Sequence, residues 1–215
     1  MSEIIIRQDL RSRFGPARDQ GPRATCLAFA MSDTHAAMRD RAWCALSCEY
    51  LFYQAKQRDR TPFDEGTTIW AARVALAHDG QPLETAWPYH TVLPADETEL
   101  TPPAEVGILY RRSSRRDSPA FNRVWDAVEA NQPSVVVMTV STAFYVPNGD
   151  GVVDSTEPDD PTVRHAVVAV ATGKRAGAKL LLVRNSWAES WGLAGHAWLS
   201  ETYAAPRILA TIRLS

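Results

Sequence analysis

Cysteine is scarce in this chain. Three thiols, Cys26, Cys44 and Cys48, cannot close into a complete set of bridges, and 215 residues at 45% hydrophobic can bury a core without covalent staples. Free thiols, and with them a reducing, cytoplasmic setting, are the expectation. Excess charge is lacking too: 23 basic residues against 25 acidic ones leave a formal net charge of −2. Such a balance provides no long-range field, so neither nucleic acid nor a membrane is expected as a partner. Long apolar runs are absent. Ile4, Ile5 and Ile6 are followed at once by charge, without the apolar core and small-residue cleavage site of a secretory signal. Nothing approaches the roughly 18 to 20 apolar residues that cross a bilayer. Metal-ligand spacing is missing among His35, His78, His90 and His196, and a CxxxC pair without histidines is a poor metal site. No metal and no cofactor is expected. Cys44 and Cys48, one helical turn apart, read as small buried hydrophobes.

What is present has a clear order. Leu27, Phe29, Ala30, Met31, Thr34, Ala37 and Met38 are spaced for a helix with one apolar side, opened by Cys26. A second helix is predicted from Ser47, its cap, to Gln57, and a third from Thr67 to His78, closed by Gly80. Prolines 82, 88, 94, 102 and 103 and the basic run Arg111, Arg112, Arg115 and Arg116 then predict irregular chain with short strands. A fourth helix is predicted over Pro119 to Asn131 and a buried strand over Val135 to Val140. Pro147 to Pro161 reads as an exposed loop. His165 to Val170 and Lys179 to Arg184 read as strands around a turn at Gly173 to Gly177, with another strand from Ala197 to Leu199. Helices first and strands afterwards predict an α+β architecture with a cleft between a helical lobe, about residues 20 to 110, and a β lobe, about 111 to 215, in one domain over 1–215.

A thiol is a useful nucleophile as thiolate, and the N-terminus of a helix favours negative charge; Cys26 is placed there. Around it, DQGPRATCLAFA, Asp19 to Ala30, resembles the nucleophile segment of papain-like cysteine peptidases. The resemblance makes Cys26 the nucleophile and Gln20 an oxyanion-hole donor, beside the backbone N–H of Cys26. Arg23 stands where secreted members carry a disulfide cysteine, and Leu27 replaces their tryptophan.

Two later segments extend it. RHAVVAVATG is similar to the family's histidine strand, which makes His165 the base, with Arg164 in place of the usual Asp or Asn. A fixed charge on Arg164 would lower the imidazolium pKa. NSWAESWG is similar to the segment around the orienting asparagine, which makes Asn185 that residue and Trp187 the indole covering the hydrogen bond and lining the leaving-group side of the cleft. In EGTTIWAARVALAHDG, Gly66 falls on the wall that holds substrate backbone and Thr67 near a side-chain pocket. The resemblance implies a papain-like two-lobe fold of bacterial, intracellular type without a propeptide. Its implied activity is hydrolysis of peptide bonds in a protein or peptide through a Cys26 thioester, without a cofactor. Transfer of the acyl group to an amine, as a peptide ligase or transamidase, and a catalytically silent binding module are the alternatives. Without a propeptide, control falls to substrate choice, a regulatory partner or the segments Arg111 to Arg116 and Pro147 to Pro161.

Overall fold

The residues that predict one apolar side for the first helix are only part of what that helix buries. In the computed structural model, which describes residues 3–39, 41–94 and 97–215, helix α1 (Cys26–Ala37) is buried at every position from Leu27 to Ala37. It runs between two further helices and the sheet, so no side meets water; this is the all-round burial of a central helix. The second helix starts at its predicted cap, and the third, expected from Thr67, starts one residue later at a cap the sequence reading did not name. Ser47 Oγ accepts from Tyr50 N at 3.1 Å to open α2 (Cys48–Asp59), and Thr68 Oγ1 accepts from Ala71 N at 3.1 Å to open α3 (Ile69–His78). Gly80 closes α3 at φ +76, and a Cβ there would stand 2.5 Å from Tyr110 O, so both backbone and space demand glycine.

The second lobe is a sheet. Its strands are β1 (Ile5–Asp9), β2 (Ser114–Asp117), β3 (Ser134–Val140), β4 (Val152–Val153), β5 (Asp160–Arg175), β6 (Ala178–Arg184), β7 (His196–Ser200) and β8 (Ile208–Leu214). They run in the order β2-β8-β3-β5-β6-β7-β4, with β1 added to β5. All pairs are antiparallel except β4 with β7. Helix α4 (Phe121–Glu129) packs on one face, and single turns α5 (Thr142–Tyr145) and α6 (Glu201–Ala204) complete the lobe. Strand alternation divides the core. Ala166, Val168 and Val170 of β5 join α1, α2 and α3 in one cluster, while Val167 and Ala169 join Phe121, Trp125 and Trp191 in another. Being covered on both faces, β5 reads as an unbroken apolar run.

Three expectations change. Asp9 and its neighbours form β1 and belong to the β lobe, although the sequence places them outside it. The turn-rich stretch Pro147 to Pro161 is not wholly exposed, because Gly151, Val152 and Val153 are buried against β7. Cys44 is exposed and lies before α2, whereas Cys48 is buried at its start, so the two do not share a helix. Among the described residues no helix is long and apolar enough to cross a membrane.

Arg23 and Glu49 form a buried ion pair, with Nη1 to Oε2 at 2.6 Å and Nη2 to Oε1 at 2.9 Å, and Nη1 also donates to His90 O at 2.6 Å. Glu49→Ala would leave the guanidinium buried without a counter-charge, and the expected loss of stability is about 3 to 5 kcal/mol. Urea unfolding of the variant checks this; a change below about 1 kcal/mol would mean the pair holds nothing that water cannot replace.

Candidate active site

Cys26 opens α1 with a half-buried side chain. The preceding Thr25 does not cap the helix through its hydroxyl, which is bound to Tyr89 Oη at 2.7 Å. The first N–H groups of α1 are therefore left to the thiol, which lies within reach of those of Cys26, Leu27 and, from β5, Ala166. Burial pushes the Cys26 thiol up, and these three N–H groups pull it down without overcoming burial. The helix start thus acts in the predicted sense but does not set the net direction.

His165 precedes Ala166, which places its imidazole one residue from the contact that β5 makes with the thiol. Its Nε2 lies 2.6 Å from Asn185 Oδ1, and the same oxygen accepts from Ser186 N at 2.8 Å. A backbone N–H can only donate, so that Asn185 atom is the carbonyl oxygen and His165 Nε2 carries the proton. The basic lone pair of the neutral ring is then on Nδ1. Burial lowers the His165 pKa from 6.5 to about 4, and the Asn185 bond opposes it. Arg164, expected to be the cause, is exposed, and it is loss of water around the ring that lowers the pKa. Burial thus disfavours charge on both the thiol and the imidazole. Trp187 covers the hydrogen bond, its ring 4.6 Å from the imidazole at 32°, and Phe144 closes another side at 5.8 Å and 65°. Excluding water strengthens the bond beneath.

Gln20 is fixed at both ends of its amide. Nε2 donates to Arg23 O at 2.7 Å, Oε1 accepts from Ser186 Oγ at 2.7 Å, and the Gln20 backbone N donates to Ser186 O at 2.8 Å. One Nε2 hydrogen remains for a ligand. Tyr89 Oη also donates to Gln20 O at 2.9 Å. Ser186, Tyr89 and Phe144 have no role in the sequence reading; Ser186 lies inside the recognised NSW motif, but nothing in the motif says which way its hydroxyl turns.

The predicted substrate wall is partly elsewhere engaged. Gly66 is exposed, and a Cβ on it would stand 3.5 Å from Ala24 O, which puts the loop across from the start of α1. Its carbonyl accepts from the buried Lys56 Nζ at 3.0 Å, as Glu65 O does at 3.2 Å. Thr67 Oγ1 donates to Asp59 Oδ2 at 2.5 Å, so its hydroxyl supports the loop, and the structure does not bring it to the site. Among the described residues no cluster of three or more His, Cys, Asp or Glu side chains could hold a metal ion.

The fold and this geometry define a class: a two-lobe α+β protein with a thiol, an imidazole and an orienting amide at the meeting of the lobes. Residues 5–208 match the papain family of cysteine proteases, and the chain belongs to that family. Cysteine proteinase 3 of Entamoeba histolytica is 26% identical over 197 residues, 89% of this chain and 61% of that protein. Thiol protease aleurain of Arabidopsis thaliana is 26% identical over 185 residues, 84% of this chain and 51% of its own length. The chain thus spans about half to three fifths of these two relatives. Xylellain, a cysteine protease from Xylella fastidiosa, superposes with a TM-score of 0.80 at 20% identity, covering 97% of this chain and 85% of xylellain.

Proposed function

We propose that the chain hydrolyses peptide bonds in a protein or peptide, with Cys26 as nucleophile, His165 as base, Asn185 as its orienter and Gln20 as oxyanion donor. The observation that carries this reading is the commitment of His165 Nε2 to Asn185 Oδ1, which leaves Nδ1 as the basic nitrogen. The Cys26 Sγ–H proton passes to Nδ1 as sulfur bonds to the substrate carbonyl carbon, so both charges arise together and neither has to exist alone in the buried site. The carbonyl oxygen takes the developing charge between Cys26 N–H and the free Nε2 hydrogen of Gln20. The imidazolium then protonates the leaving amine, a thioester remains, and water activated by Nδ1 releases the acid and restores the thiol. Gly66, opposite Ala24, would offer main-chain hydrogen bonds to an extended substrate, and Trp187 would border the leaving group.

A reducing compartment belongs to the same reading: Arg23, paired with Glu49, occupies a place where secreted relatives carry a disulfide cysteine, and all three cysteines are free. The exposed side chains of Arg111, Arg115 and Arg116 are the surface that an acidic regulatory partner would meet.

The test is labelling with an epoxide inhibitor of thiol peptidases, read by intact mass. Because Cys44 is exposed, it is done in a Cys44→Ser background. One adduct is expected, lost in Cys26→Ala. Equal labelling of the two proteins would sink the assignment.

A further inference from the structure

One carboxylate stands where the segments carrying Gln20, Cys26 and Asn185 converge. Asp33 lies on α1 about two turns beyond Cys26. Its Oδ1 accepts from Arg18 Nε at 2.8 Å and lies 2.6 Å from Arg18 Nη2, while its Oδ2 accepts from Arg184 Nε at 2.8 Å. Arg18 is two residues before Gln20, and Arg184 immediately precedes Asn185. Asp33 is 3% and Arg184 1% exposed.

Both arginines spend their remaining donors on other segments. Arg18 reaches Ser32 Oγ at 3.0 Å, Leu46 O at 3.1 Å and Glu84 Oε2 at 3.3 Å; Arg184 reaches Gly15 O at 2.8 Å and Pro16 O at 2.6 Å. Burial alone would push the Asp33 carboxyl up, but the two guanidinium groups outweigh it and hold the carboxyl below its ordinary range. It is therefore ionised at neutral pH.

Asn185 is held less completely than its role demands. Its Oδ1 serves His165 and Ser186, but its buried Nδ2 has no protein partner among the described residues. The direction of the amide then depends on the backbone at the end of β6, and Arg184 anchors that backbone.

We infer that Asp33 is a positioning residue: through Arg18 and Arg184 it keeps Gln20, Cys26 and Asn185 in mutual register, and so aligns His165 with the thiol. The inference rests on the proposed peptidase reading. A carboxylate that merely stabilised the fold would change unfolding and leave the chemistry of surviving molecules alone. A positioning carboxylate changes kcat and the pH dependence of Cys26 reactivity in protein that is still folded.

Asp33→Asn keeps the shape and removes the charge. Arg184→Lys keeps the charge but cannot serve Asp33, Gly15 and Pro16 together through one planar fork. With a peptide substrate, Asp33→Asn is expected to lose about 100-fold in kcat with KM within about twofold, the scale of an ångström misplacement at a reacting centre. Arg184→Lys is expected to lose about tenfold on the same argument. Both should shift the pH profile of Cys26 alkylation, measured in the Cys44→Ser background. Native kcat and a native profile in a folded variant would overturn the inference, as would a loss confined to KM. If Asp33→Asn does not fold, Arg184→Lys and Arg18→Lys, which keep the charge balance, decide by the same two readouts. No selective alkylation of Cys26 in the unsubstituted chain would sink the peptidase reading and this role with it. Selective alkylation there with unchanged variants would sink the role of Asp33 alone.

Discussion

His165→Gln is expected to lower kcat about 10⁴-fold, the upper range for loss of a general base. Glutamine fills a similar volume and offers an amide towards Asn185, so the pocket behind the site stays filled while proton acceptance is lost. The KM for a peptide should change little, because the imidazole acts on the reacting proton and not on the bound chain. Steady-state kinetics with a fluorogenic peptide, beside single-turnover acylation, measures both quantities. A variant within tenfold of the native kcat would place the base elsewhere. The expected size of the effect follows from the tautomer. Asn185 Oδ1 fixes the proton on Nε2, and among the described residues no other histidine bonds to the orienting amide.

Lowering the pH from 7 to 4.5 is expected to remove a large share of the stability of the fold. His35, His165 and His196 are 1%, 5% and 8% exposed, and burial lowers each from 6.5 to about 4. As pH falls through 6.5 the unfolded chain takes up protons at these positions and the folded chain does not. The proton count is higher in the unfolded state throughout that window, so stability falls as pH falls, until the folded rings titrate near 4. Each ring contributes about 2.4 kcal/mol between pH 7 and 4.5, and three together about 7, which is comparable with the roughly 5 to 15 kcal/mol that holds an ordinary domain. Asp33, whose ordinary value is 3.8, adds to acid instability only below this range. Urea midpoints between pH 7 and 4.5 test the slope. His35→Gln, at a ring remote from the chemistry and bonded to Gln81 Oε1 at 3.1 Å, should flatten it by about a third if the three rings count equally. A level stability across the window would show that the buried rings accept protons at their usual pH.

The parts of the site that were legible are those whose chemistry requires one residue type at one place in a motif: Cys26 after Gln20, His165 at the head of an apolar strand, Asn185 before Trp187. The start of α2 was legible through Ser47, because a cap is a local signal, whereas the cap of α3, Thr68, shows only in the structure. Asp33 was not legible. A carboxylate inside an apolar helix looks the same in sequence whether it faces water or two guanidinium groups, and the arginines that answer it come from residues 18 and 184. Val152 and Val153 were hidden by the glycines, aspartates and prolines around them, which signal turns even when two residues between them are buried. Thr67 was placed near substrate by its position in a motif, but Asp59 competes for its hydroxyl. The Cys26 thiol was expected to be easily ionised from the helix start alone, and sequence offers no measure of the burial that opposes it.

The pairing of β1 with β5, and of Asp19 with Trp187, joins residues 5–19 to residues 171–187, far apart in sequence. A ribosome releasing this chain from its first residue exposes the Cys26 helix long before the strands that cover it. Contacts so distant in sequence form late and slowly. Gln20 cannot meet Ser186 until synthesis has passed β6, nor can α1 meet β5 until it has passed Arg175. A growing chain therefore carries the Cys26 thiol without His165 beside it until β5 has been made.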